Sequence, residues 1–336
     1  MKIAVLGLGF MGSTHLKALK CVPEATLAAI LSNDERAREG DLSNVQGNLG
    51  GPGEHFDFSG VKKYRHPEEV MADPDIDAVD ICLPTFLHAP VALRALQAGK
   101  HVLVEKPMAL TVAEAEELLH EARRRNRVLM SAQVLRFFPQ YKALRDSLAN
   151  LGAPRHAFFR RRCAAPAWSK WLHNKAKSGG GVFDLLIHDI DMALWLFGEP
   201  LRISAIGSEH LERGIDLLTG TLFYGKGLKV TISGGWHHPK SYPFSMEYTV
   251  VADRGSIEYS SAGRPPTLYG EDGSEKPLVL GAEDGYVEEI RYFTQCVVND
   301  VQPEYCTPES SVQAVKLALL LDEARNRNGE VMPCHF

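Results

Sequence analysis

The segment Lys2-Ile3-Ala4-Val5-Leu6-Gly7-Leu8-Gly9-Phe10-Met11-Gly12 decides the fold. Four apolar residues in a row, Ile3 to Leu6, read as a buried strand that runs straight into a G-x-G-x-x-G turn made by Gly7, Gly9 and Gly12. Alone, that glycine pattern is a weak signal. Its context makes it specific, because a helical stretch through Leu16 and Leu19 follows and a second apolar run, Thr26 to Leu31, comes at the right distance. Glycines here let backbone N–H groups approach a pyrophosphate, which then sits at the positive end of the helix dipole. The segment points to dinucleotide binding, with Gly7, Gly9, Phe10, Met11 and Gly12 against the phosphates.

Outward from this turn, apolar runs alternate with helical stretches. Further strands are expected at Val61 to Tyr64, Ala78 to Leu83, His101 to Val104 and Val128 to Ser131. Thr111 and Glu114 form a capping box ahead of Ala115, Leu118, Leu119 and Ala122 at helical spacing. That alternation predicts a Rossmann-type doubly wound parallel sheet over residues 1–131, an α/β domain. Beyond it the rhythm changes to longer segments of alternating polarity: Arg155 to Arg162, Arg202 to His210, Leu217 to Tyr224, Leu228 to Trp236 and Glu247 to Ala252. With helices expected at Val182 to Phe197, Gly285 to Val298 and Pro308 to Arg325, residues 132–336 read as an α+β domain with an antiparallel sheet. The stretch Asp41 to Gly60, rich in glycine, is too long for a normal connection and reads as a mobile surface insertion, or else as a lid or subunit contact.

Composition bounds the function. The 336 residues are 45% hydrophobic and 24% charged, with 37 Lys+Arg against 42 Asp+Glu and a net charge of -5, which is ordinary for a globular protein of about two domains. Basic residues are scattered, so nucleic acid is not an expected partner. The apolar stretch Ile81 to Leu93 is broken by Pro84, His88 and Pro90 and cannot span a bilayer. The glycines after Leu6 argue against a signal peptide, and the six cysteines stand singly without zinc-type spacing, so reduced thiols, no metal and a cytoplasmic location are expected.

Three further features carry chemistry. After the second strand, where NAD-preferring sites have an acidic residue for the ribose 2′-hydroxyl, stand Ser32 and Asn33. A hydroxyl and an amide can donate to a 2′-phosphate, and Arg36 or Arg38 can supply charge, which favours NADP; Asp34 and Glu35 weigh toward NAD. Second, Glu105-Lys106-Pro107 ends a buried strand at the carboxyl edge where open α/β sheets bind ligands, and Pro107 restricts the direction of Lys106. Third, Gly179-Gly-Gly-Val-Phe-Asp184-Leu-Leu-Ile-His188-Asp-Ile-Asp191 starts a helix with Asp184, His188 and Asp191 on one face. Asp184 and His188 are candidate catalytic residues; Asp189 and Asp191 read as capping or surface charge.

Together these residues resemble the Gfo/Idh/MocA oxidoreductases over nearly the whole chain. The resemblance rests on the Gly7-x-Gly9-x-x-Gly12 start, Asp77-Ala-Val-Asp-Ile-Cys-Leu-Pro84-Thr85 with His88, Ala98-Gly-Lys-His101-Val-Leu-Val-Glu105-Lys106-Pro107, Arg136-Phe137 with Pro139, and Gly180-Gly181 with Asp184 and His188. It implies that the second domain carries a large, mainly antiparallel open sheet that mediates homodimers or homotetramers. It also implies that Leu83, Pro84, Thr85, His88, Glu105 and Lys106 line the nicotinamide side. Ser32 looks like the NADP-using sugar reductases of the family, whereas Ile187 to Asp191 is similar to its inositol dehydrogenase branch.

The expected reaction is reversible hydride transfer between a nicotinamide cofactor and a carbon of a sugar or cyclic polyol. An imidazole with an ordinary pKa of about 6.5 can accept and return the hydroxyl proton near neutrality, which suits His188. Asp184 is expected to orient substrate and support the charged ring, and Lys106 to hydrogen-bond the reacting oxygen, although either His188 or Lys106 can be written as the proton donor. On the substrate side, Arg160, Arg162, Trp168, Trp171, Trp236, His237 and Tyr242 can bind or stack on a sugar ring, or equally pack the core. Adjacent His237 and His238 are expected on opposite strand faces and so not to pair on a metal. A hydrolase or lyase using nicotinamide transiently, and a non-catalytic NADP-sensing protein, are the rival readings.

Overall fold

In the computed structural model, which describes residues 1–47, 53–167 and 169–336, the chain forms two compact units. The first comprises 1–134 with 284–312, the second 135–283 with 313–336. A single division at residue 131 misses the return of the chain to the first unit. The cause is the helix Gly285–Val298, capped by the Asp284 carboxylate, which accepts from the Tyr286 N–H at 2.8 Å. It buries Val287, Glu289, Ile290 and Phe293, and it packs on the helix Phe10–Leu19 of the first unit.

The first unit holds β1 (Lys2–Leu6), β2 (Thr26–Leu31), β3 (Lys62–Tyr64), β4 (Ala78–Ile81), β5 (His101–Glu105) and β6 (Leu129–Ala132), in the sheet order β3-β2-β1-β4-β5-β6. All five pairings are parallel. Strands covered by helices on both faces are apolar at consecutive positions rather than alternate ones, and Ile3, Ala4, Val5 and Leu6 are all fully buried. Buried polar residues break that rule at Glu105 in β5, at Ser131 in β6 and at Asp80, a carboxylate in the middle of β4 buried as deeply as its apolar neighbours. The capping box holds, with Thr111 Oγ1 accepting from the Glu114 N–H at 3.2 Å and Glu114 Oε2 from the Thr111 N–H at 3.1 Å, at the head of the helix Val112–Arg125.

The insertion after β2 is anchored rather than loose at its ends. Leu42, Phe56 and Phe58 are buried in one cluster with Val5, Leu8, Leu16 and Ile30. Between Asp41 and His55 runs an antiparallel bridge, flanked by hydrogen bonds from Leu42 N–H to Glu54 O at 3.1 Å and from Phe56 N–H to Gly40 O at 2.8 Å. Gly47 lies directly against the Phe10 ring. The middle of the insertion, residues 48–52 with Gly50, Gly51 and Pro52, lies outside the described residues.

The second unit is built on a nine-stranded sheet: β7 (Pro154–Ala164), β8 (Arg202–His210), β9 (Ile215–Phe223), β10 (Lys229–His238), β11 (Ser245–Ala252), β12 (Gly255–Ser260), β13 (Arg264–Gly270), β14 (Glu275–Pro277) and β15 (Met332–Pro333). The order is β14-β13-β12-β11-β7-β10-β9-β8-β15, with β7 and β10 parallel and all other neighbours antiparallel. Along β9, buried and half-buried residues alternate strictly, the pattern of a sheet with one face packed and the other open. The expected helix at 182–197 is present but begins as one π-helical turn, Val182–Leu186, before the α-helix Ile187–Phe197. Among the described residues, no helix is long and apolar enough to cross a membrane.

Candidate functional site

In the first unit the three glycines of the opening turn do three different things. Gly7 takes φ +98°, a left-handed angle that favours glycine, and a Cβ there would meet Cys82 O at 2.5 Å. On Gly12 a Cβ would meet Gly7 O at 1.9 Å, so the helix can start only because that position is bare. Around Gly9 no described residue lies within 4 Å of where a Cβ would be, which leaves one side of the turn open among them. Gly9 caps the helix Phe10–Leu19, whose first turn carries no acidic residue, so the N–H groups of Phe10 and Met11, which a helix start leaves without intrahelical partners, suit an anionic ligand.

At the end of β2, the Ser32 Oγ accepts from the Asp34 N–H at 3.1 Å. Asp34 spends its carboxylate on capping, its Oδ1 accepting from the Arg36 N–H at 2.9 Å. Arg38 is buried and donates to Ser32 O at 2.6 Å, which removes it as a phosphate ligand. Arg36 remains exposed, ion-paired with Asp41 through a 3.2 Å contact from Nε, and Ser43 and Arg36 together hold the Asp41 carboxyl well below the usual range. Asn33 is exposed.

At the ends of β4 and β5, Leu83, Pro84 and Lys106 are half-buried, Thr85 is buried, and the Lys106–Pro107 peptide is cis. His88 is buried with Nδ1 2.7 Å from Pro107 O and Nε2 2.7 Å from Leu83 O, so its ring ties the turn after β4 to the turn after β5. Glu105 is also interior. Its Oε1 lies 3.1 Å from His15 Nε2 and its Oε2 accepts from the Lys106 backbone N–H at 3.0 Å. Burial alone would raise the Glu105 carboxyl, but the His15 partner, helped by Lys106 and His88, holds it below its ordinary value. The sequence reading passed over His15, Asp80 and Glu289. A legible signal was Asp80, a carboxylate in the centre of an apolar strand that requires a partner.

Glu289, on the helix Gly285–Val298, is fully buried, and among the described residues neither carboxyl oxygen has a hydrogen-bond partner. Burial pushes its pKa well above the usual carboxylate range; His15, Glu105, Asp80 and Tyr286 are the titratable groups that face it. A carboxyl raised in the folded state costs stability as pH climbs above its unfolded value of about 4.3, by up to about 1.4 kcal/mol per pH unit until the folded pKa is passed. Glu289→Gln, which cannot ionise, is therefore expected to melt higher than the parent by a margin that widens from pH 5 to pH 9. A constant margin across that range in thermal melts would show that Glu289 is already ionised in the fold.

In the second unit, residues 181–194 are buried at every position except two, Asp184 and His188, which are half-buried. The change from π to α winding lies between them, and Asp184 donates its N–H to Gly180 O at 2.9 Å. π-turns recur at functional sites. Gly181 is fixed in turn by the Asp216 carboxylate, which accepts its N–H at 2.6 Å. Asp189 and Asp191, expected as caps or surface charge, are instead fully buried: Asp189 receives Arg161 Nε at 2.8 Å and Nη2 at 3.0 Å, and Asp191 receives Arg136 Nε at 2.8 Å and Nη2 at 2.6 Å. The helix turns its acidic residues inward because two buried guanidinium groups from neighbouring elements meet them.

The expected sugar-side residues divide. Trp236 is fully buried in a cluster with Cys163, Leu172 and Leu185, so it is core and not a stacking platform. Trp171 packs partly buried on the same cluster, and Trp168 lies outside the described residues. Arg160 and Arg162 both pair with Glu247, Arg162 Nη2 donating at 2.7 Å. His237 and His238 do not point to opposite faces: a register shift between Trp236 and His238 brings their rings to 4.1 Å, and His238 stacks on Tyr242 at 3.7 Å. Burial holds both imidazoles below their ordinary pKa. The alternation argument failed because a bulge cancels the period of two.

Residues 1–133 match the model of an oxidoreductase family with an NAD-binding Rossmann fold, and residues 141–258 match the GFO/IDH/MocA C-terminal domain. The chain is 28% identical to the myo-inositol 2-dehydrogenase of Thermotoga maritima over 98% of this chain and 96% of that protein. It is 30% identical to the trans-1,2-dihydrobenzene-1,2-diol dehydrogenase of Mus musculus over 82% of this chain and 84% of that protein. Among solved structures, a levoglucosan dehydrogenase in complex with NADH and L-sorbose superposes with a TM-score of 0.86, covering 100% of this chain and 99% of the other at 18% identity, a likeness of fold.

Proposed function

The chain belongs to the Gfo/Idh/MocA oxidoreductases, and from that premise we propose that it moves a hydride between NADP(H) and a hydroxyl- or carbonyl-bearing carbon of a cyclic polyol or sugar. The observation that carries this reading is the pair Asp184 and His188, one turn apart and alone in their accessibility within a buried run of the chain. A bound nicotinamide dinucleotide supplies the acceptor or donor of the hydride. When an alcohol is oxidised, His188 takes the hydroxyl proton, and in reduction it returns that proton to the same oxygen. Asp184 orients substrate hydroxyls and stabilises the charged ring. Lys106 donates a hydrogen bond to the reacting oxygen as negative charge develops there. A cyclic substrate is supported by the relatives, named for an inositol, a dihydrobenzene diol and levoglucosan.

For NADP over NAD, the support is the absence of an acidic side chain at Ser32, the capping duty of Asp34, and the exposed Arg36, which can exchange Asp41 for a 2′-phosphate. Fluorescence titration of the apoprotein is expected to give tighter binding of NADPH than of NADH. Ser32→Asp is expected to reverse that order by at least about tenfold, the effect of setting a carboxylate against a phosphate. Equal or tighter NADH binding by the parent would overturn the NADP assignment. The oxidoreductase reading is tested by following NADPH absorbance with a panel of inositols, sugars and their keto forms; substrate conversion without net change in added cofactor would point to a hydrolase or lyase instead.

A further inference from the structure

Directly beneath the glycine-rich turn lies a buried cluster that the reaction as written does not use. His15, on the helix Phe10–Leu19, is fully buried, with Nδ1 hydrogen-bonded to Asp80 Oδ2 at 2.8 Å and Nε2 3.1 Å from Glu105 Oε1, an ion-pair contact out of line for a hydrogen bond. Glu105 uses its other oxygen to hold the Lys106 N–H at 3.0 Å. The residues form one file from β4, through the cofactor helix, to the end of β5: Asp80, His15, Glu105, Lys106. Resting on the proposed role of Lys106, we propose that His15 is a positioning residue, clamping the Glu105 carboxylate so that the backbone of Lys106 is held at one angle as it leaves β5.

An imidazole hydrogen-bonded to one carboxylate through Nδ1 and in charge contact with a second beside Nε2 is favoured in its cationic form, which an opposite charge on each side stabilises. Burial pulls the His15 pKa down, but Asp80, with the Cys82 sulfur also against Nδ1, lifts the ring well above its usual value and so favours the cation. Around it, burial keeps the Cys82 thiol, the Tyr286 hydroxyl and the Glu289 carboxyl protonated. The file therefore carries the charges of Asp80, Glu105 and His15, with Lys106 as the next cation along it. Glu105 cannot turn away to meet a ligand without leaving a buried imidazolium half-paired, a cost that fixes its rotamer.

His15, Asp80 and Cys82 also offer three ligand atoms within 4.8 Å of one another. Their spacing favours the ion pair over a metal: a tetrahedral ion with bonds of about 2.0–2.1 Å separates its ligand atoms by about 3.3 Å, whereas His15 Nδ1 and Asp80 Oδ2 stand at 2.8 Å.

The test is a set of variants on the purified full chain: His15→Gln, Glu105→Gln, Lys106→Ala, and each of the first two combined with Lys106→Ala. His15→Gln and Glu105→Gln are each expected to lower kcat by about 10–100-fold, the scale of a misplacement near 1 Å, with substrate KM and NADPH affinity changed less than about threefold. In the Lys106→Ala background neither is expected to lower the residual kcat further, because a residue acting only through Lys106 has nothing left to position. A reduction of the residual rate by the same factor as in the parent would assign His15 a general structural role and overturn the proposal, as would parental kcat in Glu105→Gln, whose isosteric side chain preserves packing. If Lys106→Ala itself keeps parental kcat, the functional reading fails first. Stoichiometric metal in the purified protein that is lost in His15→Gln would replace the positioning role with a metal site.

Discussion

Replacing Lys106 by alanine is expected to lower turnover by about 10²–10³-fold while leaving the Kd for NADPH within a few-fold of the parent. The size follows from removing one hydrogen-bond donor from an oxygen on which negative charge develops, a loss of about 2.7–4 kcal/mol in sites kept from water. The selectivity for rate over binding follows from the division of labour along the chain. In the proposed binding mode the pyrophosphate meets Gly9 and the N–H groups at the start of the helix Phe10–Leu19, and no atom of Lys106 belongs to that turn. Steady-state kinetics on the polyol or sugar that the panel identifies, paired with fluorescence titration of NADPH, checks both halves. Parental turnover in Lys106→Ala would remove the lysine from the chemistry; parental turnover with weakened NADPH would reassign it to cofactor binding.

How far the sequence led depended on whether a feature is local. The parallel sheet was legible because β1, β2, β4, β5 and β6 are each a short, mainly apolar segment, and the capping box of Thr111 and Glu114 is written within four residues. The strands β12, β13 and β14 at one edge of the larger sheet escaped, since they are short, Arg264–Gly270 contains two prolines, and Glu275–Pro277 is exposed throughout. Pro265 and Pro266 fall where the register between β12 and β13 is broken, the kind of bulge that tolerates proline, and the edge strand β14 needs a partner on one side only, so the pattern used to find strands is erased in both. The return of Gly285–Val298 to the first unit was equally hidden: its helical period is plain, but a period does not say which sheet a helix covers.

The same distinction runs through the candidate site. Asp184 and His188 were legible as a helical pair, and their joint accessibility in a buried run fits that reading. The partners of Asp189, Asp191 and His15 were not, because each lies 28 or more residues away in the chain: Arg161, Arg136 and Asp80. A carboxylate in an apolar stretch announces only that it has a partner, and finding which one requires the fold.

Arg161→Met is expected to cost the second unit about 3–5 kcal/mol of stability at pH 7, the scale for breaking a buried ion pair by removing one member. Arg161 and Asp189 are both almost wholly buried, and their two contacts, at 2.8 and 3.0 Å, make a bidentate pair between β7 and the helix Ile187–Phe197. Without the guanidinium, Asp189 becomes an uncompensated charge one residue from His188. Burial already holds the Asp189 carboxyl above its ordinary pKa with Arg161 in place, and removing the cation raises it further. A carboxyl raised in the folded state is tolerated at low pH and penalised as pH climbs past its unfolded value, so the loss from Arg161→Met should shrink between pH 7 and pH 5. Adding Asp189→Asn deletes the orphaned charge and is expected to restore more than half of the lost stability, together with turnover, if the helix regains its seat. Denaturant unfolding of the parent, the single variant and the double variant at both pH values separates the cases: a loss at pH 7 below about 1 kcal/mol would mean that the pair does not hold the helix, and a loss independent of pH would mean that packing around Met246 and Phe244, rather than charge, accounts for it.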